Sequence, residues 1–397
     1  MTTPNISLKI ANPVSLRFLM IVALLEIFLG GGGRLIDIGP LSLRMYLFML
    51  TFSCSLMMAA SGAGLNKNFF YILLSATLLL LISSWIGYAN DALIKAITDD
   101  VKPLLAIYFL MFLYFTIKTE ADVMLVVQLI RVSAVVLACL YIVTFVLINF
   151  KLIPFRSFYD SVASSEEFFF RGEFAFFYKG FVYMCVGLFF FLMEKKVNKL
   201  IVTILVLAIV LTFTRGFIVA IVLTYLAYLL FIKKSGSRIV LYSLMISIVI
   251  ISLWSSFHDA NINRQASDSA RIIQVQEVVH DVTPLSIFIG HGFGIGVPSR
   301  PDKMEIAYLE IFHKQGLMGI SFWVILLALT TTLYKSVRGE NRRLASAFLL
   351  AVVVIYVQSF TNPYVNNPIG ITMILLSCVC LNVLANNSTG DGQENGA

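Results

Sequence analysis

All four histidines of the chain, His258, His280, His291 and His313, fall within residues 254–316. The same stretch holds Arg264, Arg271, Arg300 and Lys303 ahead of Glu305, and a glycine-dense run, Gly290-His-Gly-Phe-Gly-Ile-Gly296. Imidazole and carboxylate can relay protons. Guanidinium can grip phosphate through two parallel hydrogen bonds. Titratable groups gathered into one polar stretch of a greasy chain point to a polar substrate handled at a membrane surface.

Arg215 is a second candidate, and its position follows from length. The apolar run 200–231 is broken only by Thr212-Phe-Thr-Arg215-Gly216. As one helix it would be roughly 48 Å long, too long for one crossing. Lysines flank both ends, Lys195, Lys196 and Lys199 before it and Lys233 and Lys234 after it. Both ends therefore belong on one side, and the chain must turn back at Thr214-Arg215-Gly216. Each arm of about 15 residues reaches roughly 22 Å, short of a ~30 Å hydrocarbon core. The turn should sit below the outer lipid surface, where an arginine costs on the order of 3 kcal/mol unless it finds water or an anion. Arg215 then either snorkels to headgroups or floors an outward-open cavity and holds a phosphate. The second reading is preferred.

Other constellations have plainer readings. The glycine-dense run lacks the preceding strand and following Lys-Ser/Thr of a nucleotide loop, so it reads as a structural turn, with backbone contact to a substrate phosphate as the alternative. His280 and His291, with Asp281, match no standard metal spacing, and no cofactor is expected. Asp99-Asp100 reads as a solvated helix start. Glu305, Leu309 and Phe312/His313 fall on one face of a helix, which either presents Glu305 and His313 to a cavity or lies amphipathically in the interface. Arg171-Gly-Glu173, set among Phe168–Phe170, Phe174, Phe176, Phe177 and Tyr178, reads as an interfacial aromatic belt that could stack on sugar.

The elements that must position these residues are apolar helices. The chain of 397 residues is 59% hydrophobic and 13% charged, with mean hydropathy +0.90. Too little charge remains to cover a soluble domain of that size, and no ten-residue alternation suggests a barrel. The expected class is all-α, a polytopic membrane protein of twelve spans near 14–30, 41–60, 69–88, 103–117, 123–149, 176–193, 199–214, 217–232, 239–257, 316–334, 344–360 and 368–386. The first span, with Arg17 and Glu26 and then Gly30-Gly-Gly-Gly33, reads as a signal anchor. The expected organisation is spans one to nine in 1–257 with a smaller outer loop at 151–175, a large outer loop with short helices at 258–315, spans ten to twelve in 316–386, and a disordered tail at 387–397. Lysine and arginine gather in the connections after even-numbered spans, which places both termini in the cytoplasm by the positive-inside rule. The basic balance thus reflects topology, and nucleic acid is not implied. The five cysteines, Cys54, Cys139, Cys185, Cys378 and Cys380, sit inside spans and read as packing.

Several of these segments, in this order, resemble the bacterial O-antigen ligase and polymerase superfamily. They are Leu211-Thr-Phe-Thr-Arg-Gly-Phe-Ile-Val-Ala220, then Ser269-Ala-Arg271-Ile-Ile-Gln, then Ile289-Gly-His-Gly-Phe-Gly-Ile-Gly296, then Glu305-Ile-Ala-Tyr-Leu-Glu310-Ile-Phe-His-Lys-Gln-Gly-Leu-Met-Gly319, and finally Thr361-Asn-Pro-Tyr364. The last element resembles the polymerase branch. Met304-Glu305-Ile306 stands where ligases carry a His-Asn pair, which also favours a polymerase. A paired-loop spacing of Arg, ten residues, then Gly, described for polymerases, has no clean copy here. The resemblance implies a glycosyltransferase of the GT-C kind in the bacterial inner membrane, joining undecaprenyl-diphosphate-linked repeat units at the periplasmic face, by inversion and without a metal. Its partners would be the lipid-linked donor and acceptor, membrane lipids and a chain-length regulator. On this reading Arg215 and Arg271 meet the departing diphosphate, Glu305 is the first candidate base and His313 the second. Arg171, Arg300, His291, Tyr308, Asn362 and Tyr364 would line the substrate. The alternatives are a ligase transferring glycan to lipid A core and a lipid-linked glycan flippase. A flippase would favour ionisable groups at the membrane midplane, and only Glu26 and Arg131 lie deep in spans.

Overall fold

The structure is a computed structural model that describes residues 13–39, 41–171, 175–234 and 264–394. Helices dominate it: α1 (Pro13–Leu29), α2 (Leu43–Ala60), α3 (Lys67–Ala89), α4 (Ile94–Leu104), α5 (Phe109–Thr116), α6 (Glu120–Asn149), α7 (Phe155–Val162), α8 (Val182–Leu192), α9 (Lys199–Leu211), α10 (Arg215–Ala227), α11 (Arg264–His280), α12 (Pro284–Ile289), α13 (Ala307–Ser336), α14 (Arg342–Gln358) and α15 (Pro368–Glu394). Helix occupies eleven of the twelve apolar stretches expected to span. The remaining one, 239–257, lies outside the described residues, as do His258 and Glu173. By length and composition, six helices among the described residues can cross a membrane. α15 is the axis of the bundle, buried against α5, α13 and α14, while α6 packs on α1, α8 and α9. α15 also runs on to Glu394, through residues expected to be disordered. Once a buried helix is nucleated, each added residue needs only its own hydrogen bond.

The fold is not helical throughout. The aromatic run at 168–178 is a hairpin of β3 (Phe168–Arg171) and β4 (Ala175–Tyr178), with β1 (Asp37–Ile38) and β2 (Leu41–Ser42) forming a smaller one. β3 and β4 pair antiparallel with Phe168 opposite Tyr178 and Arg171 opposite Ala175. β4 is buried along its length, its Phe176 ring 5.0 Å from Tyr141 on α6 and its Phe177 ring 5.4 Å from Phe217 on α10. The aromatics of β4 are therefore core, not an interfacial belt. Consecutive aromatics favour a strand because alternate rings can pack on opposite faces.

Two ends of the bundle are chemically distinct. At one, Lys195 pairs with Glu340, Asn341 reaches Glu120, and Arg17 binds Asp122. The other carries the β3–β4 hairpin, α11, α12 and the turns at 30–38 and 359–367. Glu26 and Arg131, the ionisable groups deep in spans, are both paired: Glu26 with Arg44 at 2.7 Å and Arg131 with Glu194 at 3.0 Å.

The glycine-dense run is clamped to α3 and α13. Phe293 N–H donates to the Ser83 carbonyl, and His291 and Gly292 N–H donate to the carbonyls of His313 and Lys314. Gly292 has φ +90, and a Cβ there would strike the backbone of Gly87 on α3. Gly292→Ala is expected to cost on the order of 1–3 kcal/mol. A lowered unfolding midpoint in detergent, with Gly64→Ala as the control in open space, would show it.

Candidate functional site

Arg215 opens α10. The chain leaves α9 at Leu211 and turns through buried Thr212, Phe213 (φ +50) and buried Thr214, so the arginine is the first residue of the next helix. That position adds the positive end of a helix dipole to a half-buried guanidinium, which favours an anion in front of it. The expected turn is thus present. The first arm, of 13 residues, is shorter than the second, which continues as one helical run to Lys233.

The segment 358–367 connects Arg215 to the rest of the site. The α-carbon of Gly216 faces Gln358 and Thr361. Ala307, at the start of α13, donates its N–H to the Ser359 carbonyl. Tyr364 is buried and its hydroxyl donates to the Lys179 carbonyl at 3.0 Å, just after β4. Tyr308 spends its hydroxyl on the Tyr356 carbonyl at 2.7 Å and rests its ring on Phe360. Asn362 is half-buried, donating to Thr361. Tyr364 and Tyr308, expected to line substrate, both commit their hydroxyls to holding this segment.

α11 arranges the second set of charges. Arg271 Nε lies 3.0 Å from Glu305 Oε2, and Arg300 Nη2 lies 2.9 Å from Glu305 Oε1. One turn on from Arg271, buried Gln274 accepts the Glu305 N–H, and Glu277 holds Ser299. Val278, Val297 and Met304, with Leu309 and Phe312, form a small apolar core beneath them. Arg271, Arg300 and Glu305 are therefore brought together as expected, but Glu305 does not stand as a free base. Each of its oxygens already accepts from a guanidinium. Glu305→Gln is accordingly expected to slow turnover by about tenfold through misplaced arginines, and a loss a hundred times larger would restore Glu305 as the base.

Glu305 and His313 do not share a helical face, because α13 begins only at Ala307 and Ile306 is extended. His313 is buried with both ring nitrogens lacking hydrogen-bond partners, its ring 4.7 Å from that of His291. An imidazolium there would be unsolvated beside Lys314, which argues against a proton-relay role. His280 is exposed beside Asp281, apart from that pair. Of Arg171, the strand position is described: it ends β3 opposite Ala175. The N–H groups of residues 291 to 294 all donate within the protein, as a structural turn requires.

A third cluster joins residues that the sequence does not connect. Lys314 donates to Asp100 at 2.8 Å, to Glu310 at 2.9 Å and to the Asp302 carbonyl at 2.9 Å. The side chains of Lys314, Asp100 and Glu310 are all buried. Asp100 also accepts from Gly294 N–H, and Glu310 from Asn366 Nδ2. Asp99-Asp100 is thus no solvated helix start. Asp99 alone is exposed, and its hydrogen bond from Lys102 holds its carboxyl below the usual range. The signal available in sequence is Glu310 and Lys314 at i, i+4 beside an apolar span.

Fold and composition together define a polytopic α-helical membrane protein, with Arg271 and Arg300 gathered on Glu305. Over 379 residues the chain is 28% identical to an O-antigen polymerase of Shigella flexneri, covering 91% of this chain and 93% of that protein. The polymerase branch of the resemblance is thereby supported over the ligase branch. No family model matches the chain.

Proposed function

We propose that this chain is an O-antigen polymerase, transferring a growing glycan from undecaprenyl diphosphate to a new lipid-linked repeat unit. The observation that carries the reading is the likeness to a polymerase along nearly the whole chain. The site supplies the chemistry. As the glycosidic bond to diphosphate breaks, negative charge grows on the leaving oxygens, and fixed cations lower the barrier by meeting it. Arg215 at the mouth of α10 and Arg271 and Arg300 on Glu305 are those cations. The acceptor hydroxyl attacks the anomeric carbon from the opposite face, with inversion, and no metal step is needed.

The site faces the periplasm of a bacterial inner membrane, with both termini cytoplasmic and twelve spans in a GT-C-like arrangement. The gathering of Lys195, Lys118, Arg338 and Arg342 around the end opposite the site supports that orientation. A chain-length regulator would act on it within the same membrane. The test is the purified protein in liposomes with lipid-linked repeat units alone. A polymerase yields glycans of several units and releases one undecaprenyl diphosphate per linkage. Product only after addition of lipid A core would make the chain a ligase instead.

A further inference from the structure

The stretch that holds Arg271 also carries an exposed apolar face. On α11, Ile272, Val275 and Val279 recur at intervals of three and four residues, which sets them in one stripe along the helix. All three are exposed. Val282 follows in the connection, and Leu285 and Phe288 repeat the interval on α12. Val279, Leu285 and Phe288 are 66%, 67% and 60% exposed. An apolar face of this extent marks a contact, because a folded protein seldom leaves one to water.

The neighbouring helix identifies that contact. α12 packs on α13 at Gly316 (φ +61), where a Cβ would strike the Phe288 carbonyl and the Ile289 nitrogen. Phe288 therefore stands beside Leu317 and Met318, both exposed, at the start of the apolar part of α13. Two turns on, Val324 and Ile325 are exposed on the same side. α13 is long and apolar enough to cross a membrane, and a row of bare aliphatic side chains on such a helix faces acyl chains. The stripe of α11 and α12 prolongs that lipid-facing row beyond the span. The opposite side of α11 is engaged with protein, since buried Gln274 accepts the Glu305 N–H and buried Val278 packs with Val297 and Met304. At about 100° per residue, Arg271 falls between this buried side and the stripe. A helix with lipid-suited residues on one side and a charge at their edge lies in the membrane interface, its apolar side sunk ~5–10 Å.

We propose that Ile272, Val275, Val279, Val282, Leu285 and Phe288 rest in the lipid leaflet at this end of the bundle, so that α11 and α12 lie along the membrane surface. Arg271, and with it Arg300 on the shared Glu305 carboxylate, is then held at the depth of the lipid phosphates. The lipid contact stands on the fold alone. Its use in catalysis rests on the polymerase reading above: a lipid-linked diphosphate carries its charge at that same depth and meets the guanidiniums without leaving the leaflet.

The test uses the full-length protein in nanodiscs of phosphatidylcholine and phosphatidylglycerol, with Val279→Trp, Leu285→Trp or Phe288→Trp made singly and the new emission read as the difference from the unaltered protein. His280→Trp, at a side chain 90% exposed and off the stripe, is the control in water. Lipids bearing a nitroxide near the glycerol are expected to quench the three stripe positions about twofold or more. Labels near the chain ends should quench them less, and iodide in the water hardly at all. His280→Trp should instead yield to iodide. Three exposed positions are used so that one poorly folding variant does not decide the matter. Iodide quenching on the stripe equal to that at position 280 overturns the proposal, because the face is then in water. Blue-shifted emission that neither quencher reaches also overturns it, because a second copy or another protein then covers the face. The readout contains no substrate, so its failure leaves the polymerase reading standing, and a protein that joins no repeat units leaves the lipid contact standing.

Discussion

Arg215→Ala is expected to slow repeat-unit joining by about 10²–10³-fold, the usual cost of removing one fixed donor to developing charge in a dry site. The arginine stands at the first position of α10, where the helix dipole adds to its own charge. Thr212 and Thr214 are buried on the approach, and Gly216 lies against Gln358 and Thr361. The loss should appear in rate, with the protein still present in the membrane and monodisperse on purification. Arg215→Lys is expected to recover little, because an ammonium cannot span two phosphate oxygens in a plane. Lipopolysaccharide ladders from cells and initial rates in liposomes both measure it. Ladders of normal length in both variants would remove Arg215 from the chemistry.

Lys314→Met carries the largest expected effect on stability, about 3–5 kcal/mol. It strands two carboxylates that are 6% and 7% exposed and have no other cation at hydrogen-bond distance among the described residues. The side chain it introduces fits the space, so packing is not the cause. The added substitution Asp100→Asn should recover part of the loss by deleting one of the stranded charges, a coupling that a double-mutant cycle isolates. Unfolding midpoints of the purified variants check both. If Lys314→Met melts like the wild type, the carboxylates do not depend on its charge.

Much of this architecture is legible in the order of residues alone. The hairpin at Arg215 follows from helix length against membrane thickness and from lysines at both ends, and the turn lies where that arithmetic puts it. Arg271, Arg300 and Glu305 stand out in the polar stretch and do meet in space. Other features are hidden for physical reasons. Asp100 and Lys314 are 214 residues apart, and no local pattern reports such a contact. A helix counted from Glu305 starts two residues early. Ile306 is extended, and that one residue moves Glu305 off the face shared by Leu309 and His313. The run Phe168–Tyr178 reads as a belt because apolar aromatics look alike in a core strand and at a lipid interface. Tyr308 and Tyr364 offer hydroxyls that look available in sequence, yet backbone carbonyls at Tyr356 and Lys179 already take them.

On the proposed mechanism, fixed guanidiniums at one end of the bundle receive undecaprenyl diphosphate. Titrating that lipid into nanodiscs holding the wild-type protein, Arg215→Gln or Arg271→Gln reads the claim without any sugar chemistry. Each arginine's charge-assisted contact should be worth about tenfold or more in Kd, so both variants should bind correspondingly more weakly. Equal affinity across all three proteins would contradict the account.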